Sequence, residues 1–366
     1  MTTVLTLNPG SSSVKASVRT PRPALTVTVE RIGTDRARIS GPDGAGRFTG
    51  DLANALSQIA GLVRAAGQHI DVVAHRVVHG GPRHHRPALI DDPLVADLRA
   101  AIPLAPLHLP GSLSMIEQAR RLWPAADQVA CFDTGFHAGL PNRSTRLPVP
   151  AELARLGVRR YGFHGLSIAS VLHQCPSLDQ VVIAHLGSGC SVTAVAGGRP
   201  RHTTMSLTPT GGMMSGTRPG DLDPEVVLYL IAEHGYRVDQ LRAAFDHESG
   251  LAGIAGGRHD VRDLLAAGDP AAELALDAFT GSAAMAIASC ASTLDSWQAL
   301  VFTGGVGEHA EPIRERICAR LLAVRGGAAE HGSAVRQLAA TGLRIEVLTA
   351  DEESELDRQA RHLLAR

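Results

Sequence analysis

Twice in this chain of 366 residues, an apolar strand-forming run meets a short polar turn and returns at once as a second strand-forming run. The first instance is Val4 to Leu7, the tip Asn8-Pro9-Gly10-Ser11-Ser12-Ser13, and Val14 to Val18. In the second, Val181 to Leu186 turns at Gly187-Ser188-Gly189 into Ser191 to Ala196, which closes on Gly197-Gly198. Both read as hairpins. After the first come a strand-like stretch, Leu25 to Arg38, and a helix with Leu52, Ala55, Leu56, Ile59, Leu62 and Val63 at helical spacing. Strands at Asp71 to Val78 and Gln128 to Phe132 follow. The second is followed by an apolar helix from Ala271 to Leu294, a strand at Ala299 to Thr303, a helix from Pro312 to Val324 and a strand at Leu343 to Leu348. A short helix ends the chain. No fixed short period exists, which excludes a solenoid. The length exceeds what one ordinary core serves, so the repeated layout predicts two related α/β lobes around a cleft.

Composition narrows the function classes. A hydrophobic fraction of 44%, with 19% charged residues and a net charge of -1, describes a well-buried globular protein and argues against a nucleic-acid partner. The five cysteines, at 131, 175, 190, 290 and 318, form no C-x-x-C pair and suit a reduced, cytoplasmic setting. The start, Met1 to Leu7, has neither the basic residues nor the apolar length of a signal peptide. No apolar run approaches the roughly 20 residues that cross a bilayer, so no membrane partner is expected. Arginine supplies nearly all the positive charge. Lys15 is the only lysine, and its compact ammonium has a geometry that a planar guanidinium does not reproduce.

Several segments carry chemistry. The tip from Asn8 to Lys15 combines backbone N–H groups, three hydroxyls and a cation, a set suited to phosphate oxygens, although a plain hairpin end is the alternative. It lacks Walker spacing. Gly187-Ser188-Gly189 has the same potential without a dinucleotide-type third glycine. Thr303-Gly304-Gly305-Val306-Gly307-Glu308 lies between a strand and a helix, and its glycines would let a nucleotide approach the backbone; a tight connection is the competing reading. Arg76 interrupts the apolar run Val72 to Val78, so it needs an anion, either a ligand or an internal carboxylate. The same two readings hold for Arg218, in Ser215-Gly216-Thr217-Arg218-Pro219-Gly220. Asp133 ends a strand, where open α/β folds place catalytic carboxylates. His164 is flanked by glycines in Tyr161-Gly162-Phe163-His164-Gly165. Asp351-Glu352-Glu353 suits either a magnesium ligand or an acidic helix start.

Taken in order, these segments resemble the acetate kinase family. The matching stretches are Asn8 to Lys15, His75 to Gly81, Leu104 to His108, Phe132 to His137, Arg159 to Gly165, His185 to Gly189, Gly216-Thr217-Arg218, Asp260-Val261-Arg262, Phe302 to Glu308 and Glu352. The resemblance implies the duplicated α/β fold of the actin-like ATPase, sugar kinase and Hsp70 superfamily. It implies an N-terminal lobe, 1–132, to which 350–366 returns, and a C-terminal lobe, 133–349, with most of the nucleotide site. The expected activity is reversible, ATP-dependent phosphorylation of acetate to acetyl phosphate and ADP, by a homodimer, with Mg²⁺ or Mn²⁺.

The same resemblance assigns residues. Asn8 and Glu352 would hold the metal. Lys15, His185, Leu186, Gly187, Ser188 and Gly189 would face the ATP phosphates, and Asp260, Val261, Arg262, Gly305, Val306, Gly307, Glu308 and His309 the adenosine. Arg76 would bind the substrate carboxylate, Asp133 would be the catalytic carboxylate, and His164 with Arg218 would stabilise the moving phosphoryl group. Val78, Leu107, Phe163 and Pro209 would enclose the acyl methyl. Because the attacking carboxylate is already ionised at neutral pH, Asp133 is expected to orient groups or metal rather than remove a proton. Ser188, Leu166, Ile168, His309 and Asp351 depart from the family's usual residues, and Pro9 resembles the related butyrate kinases. A propionate or butyrate kinase and a non-catalytic nucleotide-binding paralogue are the alternatives.

Overall fold

The computed structural model describes residues 2–10, 12–20, 23–42, 44–325, 327 and 332–365. Ser11, one of the three serines of the first tip, lies outside the described residues. The chain divides into two compact units. One comprises Met1–Ala138, Gly165–Ser170 and Asp351–Arg366; the other comprises Gly139–His164 and Val171–Ala350.

The first unit is built on β1 (Val4–Pro9), β2 (Val14–Arg19), β3 (Pro23–Glu30), β4 (Arg38–Gly41), β5 (Gly44–Arg47), β6 (Val72–Val77), β7 (Ala88–Leu89) and β8 (Asp127–Phe132). They form one sheet in the order β5-β4-β3-β2-β1-β6-β8-β7. β1 pairs with β2 as an antiparallel hairpin, while β6 and β8 continue the sheet parallel to β1. Alternate residues of β1 to β3, including Leu5, Leu7, Val14 and Val27, pack under the helix Leu52–Ala65 through its buried Leu56, Ile59 and Val63. On the opposite face Val4, Val72 and Val129 meet Leu166 and Leu356.

The second unit contains β9 (Gln180–Leu186), β10 (Cys190–Ala196), β11 (Arg199–Thr203), β12 (Ala299–Thr303) and β13 (Arg344–Val347), in the order β11-β10-β9-β12-β13. β9 and β10 are an antiparallel hairpin, and β12 and β13 run parallel to β9. That pattern repeats the β3-β2-β1-β6-β8 portion of the first sheet, strand for strand and direction for direction. The duplicated fold of the actin-like ATPase and sugar kinase superfamily has this arrangement.

Two features differ from the sequence reading. Asp133 to Ala138 and Gly165 to Ser170 group with the first unit. The cause is local: Gly165 N–H donates to Asp133 O at 2.8 Å, and a Cβ at Gly165 would lie 2.3 Å from that oxygen. Only glycine lets the helix start so close to the end of β8. The helix Pro270–Ala291 has 22 residues and a mean hydropathy of 1.4, long and apolar enough by composition to cross a bilayer. Its Leu276, Phe279, Ala283 and Ile287 are packed into the second unit's core, and its alanine content gives it apolar character around most of its circumference.

Candidate active site

In the first unit the proposed groups collect at the C-terminal ends of three adjacent parallel strands. Register sets this: Leu7 of β1 pairs with His75 of β6, and Arg76 pairs with Cys131 of β8, so Asn8, Arg76 and Asp133 emerge side by side. Arg76 donates from Nε and Nη2 to Asp133 Oδ2 at 3.0 and 2.5 Å, and from Nη1 to Pro9 O at 2.8 Å. Asp133 is 1% exposed. Burial alone would weaken the charge on Arg76, but Asp133 and Glu352 outweigh it and hold the guanidinium above the ordinary arginine value. The anion that Arg76 required is therefore internal. Its second Nη2 proton stays available for another acceptor, since a guanidinium has five N–H donors. Asp133 Oδ1 is buried with no hydrogen-bond partner among the described residues, an arrangement that costs free energy unless something else meets it.

The final helix, Glu352–Leu364, completes this set. Asn8 Nδ2 donates to Glu352 Oε2 at 2.8 Å and to Glu353 Oε1 at 3.0 Å. Both amide protons are thereby used, which leaves Asn8 Oδ1 as the acceptor facing Arg76, 3.5 Å from Nη1. Lys15 Nζ lies 2.7 Å from Glu353 Oε2, so the single lysine is paired with a buried carboxylate. Glu353, 2% exposed, stands in the sequence only as part of the acidic run Asp351-Glu352-Glu353, without the contacts to Asn8 and Lys15 that the structure gives it. A second acidic residue after Glu352 was visible, but its burial was not. Asp351 is the helix cap, accepting from Ser354 N at 2.9 Å and facing Arg19 at 3.3 Å. Leu166 and Ile168 are fully buried apolar residues.

In the second unit, the turn between β9 and β10 is the focus. A Cβ placed on Gly189 would meet Arg218 Nη1 at 3.2 Å and His164 Nε2 at 3.6 Å. A guanidinium and an imidazole from separate loops therefore converge on the glycine–serine turn. His164 stacks on His185 with ring centroids 4.2 Å apart, and its Nδ1 lies 3.0 Å from Ser191 Oγ. His164 itself holds a left-handed conformation, φ 59°, which is unfavourable for a residue with a Cβ and marks a position fixed by its surroundings. Arg218 Nη1 is 3.4 Å from Pro209 O. Burial lowers its pKa below the ordinary arginine value, partly offset by the charge of Asp246, whose carboxylate is anchored by Thr210 Oγ1 at 2.6 Å. Arg218 has no carboxylate in direct contact among the described residues, unlike Arg76, and so retains donors for an anion.

The other proposed nucleotide contacts are uneven. Gly304, with φ 77°, brings the turn after β12 against β9: a Cβ there would lie 2.7 Å from Leu186 O. The segment from Gly304 to His309, read as the link between a strand and a helix, is itself a short helix. Glu308 Oε1 accepts from Gly304 N at 3.0 Å and Ala350 N at 3.3 Å, so its carboxylate holds this turn together. Leu186 and Val261 have side chains in the core, leaving only their backbone to meet a ligand. Asp260 caps its helix and pairs with Arg262 at 2.6 Å, while Gly305, Ser188 and His309 are exposed. Phe163 is 1% exposed and Pro209 is buried; in the first unit Val78 is 4% and Leu107 40% exposed.

A family model described as the acetokinase family matches residues 3–341. The chain belongs to that family. Among relatives of this acetokinase-family chain, the acetate kinase of Deinococcus deserti is 40% identical, over 99% of this chain and 98% of its own length. A propionate kinase from Francisella tularensis superimposes with a TM-score of 0.87 at 32% identity, covering 98% of this chain and 99% of that one. The acetate kinase of Porphyromonas gingivalis gives 0.80 at 28% identity, covering both chains in full, 100% each.

Proposed function

We propose that the chain is an ATP-dependent acetate kinase, which transfers the terminal phosphoryl group of ATP in line to the carboxylate of acetate, reversibly giving acetyl phosphate and ADP. The observation that carries this reading is the approach of Arg218 and His164 to Gly189. A phosphoryl group in transit spreads charge over its equatorial oxygens, and preorganised donors around that plane lower the barrier most. A half-buried guanidinium with donors to spare, beside an imidazole held by Ser191 and His185, meets that requirement. Arg76 would use its remaining Nη2 proton for the acid's carboxylate, with Asp133 fixing the guanidinium plane. Lys15, the Gly187–Gly189 turn, Asp260 to Arg262 and Gly305 to His309 are the proposed nucleotide contacts.

Mg²⁺, with Mn²⁺ as its substitute, would neutralise charge on the ATP phosphates. Asn8 Oδ1, Glu352 and the unpaired Asp133 Oδ1 are hard oxygen donors that fit such an ion. No cluster of three His, Cys, Asp or Glu ligands exists among the described residues, which agrees with a cation that takes most of its ligands from water and phosphate.

The reading includes a homodimer in the cytoplasm. The helix Pro224–His234 has no buried residue, yet carries Leu228, Tyr229 and Ile231 at 55, 56 and 39% exposure. A helix that is apolar and uncovered calls for a partner surface. Incubation with ATP, Mg²⁺ and acetate, with acetyl phosphate trapped by hydroxylamine, tests the activity: acetohydroxamate is expected, and its absence would contradict the proposal.

A further inference from the structure

The loop between β6 and β7, residues 78–87, meets the end of β8 at two points. It is tightly closed on itself: His84 N–H donates to Gly80 O at 3.1 Å, and a Cβ on Gly80 would lie 1.8 Å from His84 O. The next carbonyl, of His85, presses on Gly135, where a Cβ would lie 2.8 Å away. The His84 ring stacks on Phe132, with centroids 6.2 Å apart and planes at 28°. Phe132 immediately precedes Asp133 and Gly135 follows it by two, so the loop touches the chain on both sides of this buried carboxylate.

The ring is held in turn from the helix Asp92–Ala100. His84 Nε2 lies 2.8 Å from Asp97 Oδ2. A carboxylate only accepts, so the proton of that bond sits on Nε2. The two side chains are 25 and 26% exposed, which shields the bond from most of the surrounding water. The other Asp97 oxygen takes Arg83, an exposed side chain. An imidazole tied at its edge and stacked along its face restrains the aromatic ring beneath it.

We propose that His84 is a positioning residue for the acid: tied to Asp97, it fixes Phe132 and thereby the Asp133 carboxylate that sets the plane of Arg76. This inference rests on the carboxylate-kinase reading above, in which Arg76 receives the acid. Asp133 Oδ2 takes two of the Arg76 donors, at 3.0 and 2.5 Å, so a displacement of Asp133 carries over to the guanidinium. A misplacement of about 1 Å can cost on the order of 10²-fold in rate, and relayed through two side chains the effect is smaller. It falls on the acid first, because the proposed nucleotide contacts belong to other segments.

The test is the hydroxamate assay at varied acetate and varied ATP on the wild type, His84→Ala, Asp97→Ala and the double variant, with thermal melts to verify folding. Two controls accompany them. Arg83→Ala removes the exposed partner of Asp97 and leaves His84 in place, while Val95→Ala destabilises the same helix at a buried position and alters neither member of the pair. His84→Ala and Asp97→Ala should each raise the KM for acetate by about tenfold, with the KM for ATP within about twofold of the wild type. The double variant should match the larger single effect, since the two residues act as one unit. Both controls should keep the KM for acetate within about twofold, whatever their melting temperatures. Asp97→Ala, a change at a partly exposed helix position, serves if His84→Ala folds poorly. An unchanged KM for acetate in a folded variant of the pair, additive effects in the double variant, or an equal rise in Val95→Ala would overturn the inference while leaving a carboxylate kinase. No product from the wild type would overturn both.

Discussion

At the scale of single residues, the first unit's site depends on buried charge being matched. Asp133 serves Arg76 through one oxygen and leaves the other buried and unmet. In Asp133→Asn the amide oxygen can still accept from the guanidinium, but the negative charge is lost and an NH₂ donor replaces the unmet oxygen, so kcat should fall by about 10²- to 10³-fold, the usual cost of losing a preorganised charged contact. Steady-state kinetics on a folded variant checks this; a near-wild-type rate would remove Asp133 from any essential role. Outside the site, His75 is 2% exposed, with Nε2 2.8 Å from Gln128 Oε1. Burial lowers its pKa to about 4, against a smaller opposing effect of the Gln128 hydrogen bond. The unfolded chain then binds the extra proton between the ordinary histidine value of about 6.5 and 4. The stability that His75 contributes is thus fully present above that range and is lost as pH falls through it. Melting curves from pH 7 to pH 5 should show a steeper loss in the wild type than in His75→Gln.

At the scale of elements, glycines allow strand ends to approach their neighbours. Gly304→Ala would force a Cβ to 2.7 Å from the Leu186 carbonyl at a positive φ. Neither backbone can yield cheaply, and a loss of about 1 to 3 kcal/mol is expected, measurable by denaturant unfolding. Sequence patterning revealed the two hairpins because β-branched runs and Gly/Ser turns coincide in them. It also revealed β6, β8 and β12, each a mostly apolar run. β4, β5 and β7 escaped because short, glycine-rich or exposed edge strands carry little alternation. Pro200 and the charged residues of β11 hid that strand in the same way. Within the site, Arg76, Asp133, His164 and Arg218 were legible as polar residues where an apolar run or a glycine-flanked turn made them conspicuous. The pairing of Arg76 with Asp133 was not, because it depends on the register of strands 57 residues apart. Glu353 reaches Asn8 across 345 residues, and no local pattern announces that contact.

At the scale of the whole molecule, each unit has a hairpin turn with proposed ligand contacts at the C-terminal end of a strand that runs parallel to its neighbour, the edge where open α/β sheets bind ligands. The repeated five-strand order explains why both hairpin turns, at Asn8 and at Gly187, carry proposed phosphate or metal contacts. The uncovered helix Pro224–His234 belongs to the second unit, and the proposed homodimer would bury it. Tyr229→Glu should then shift the species seen by sedimentation from dimer to monomer, since a charge buried without a partner costs several kcal/mol. An unchanged mass would place the interface elsewhere.

The most direct measurement of the central claim is the steady-state kinetics of Arg218→Ala in the assay that detects acyl phosphate. If Arg218 stabilises the phosphoryl group only in transit, kcat should drop by about 10³-fold or more, the range for arginines that neutralise transferring phosphate, while the KM for ATP stays nearly constant. A variant that retains kcat within about tenfold of the wild type, or loses activity only through a raised KM, would contradict that role.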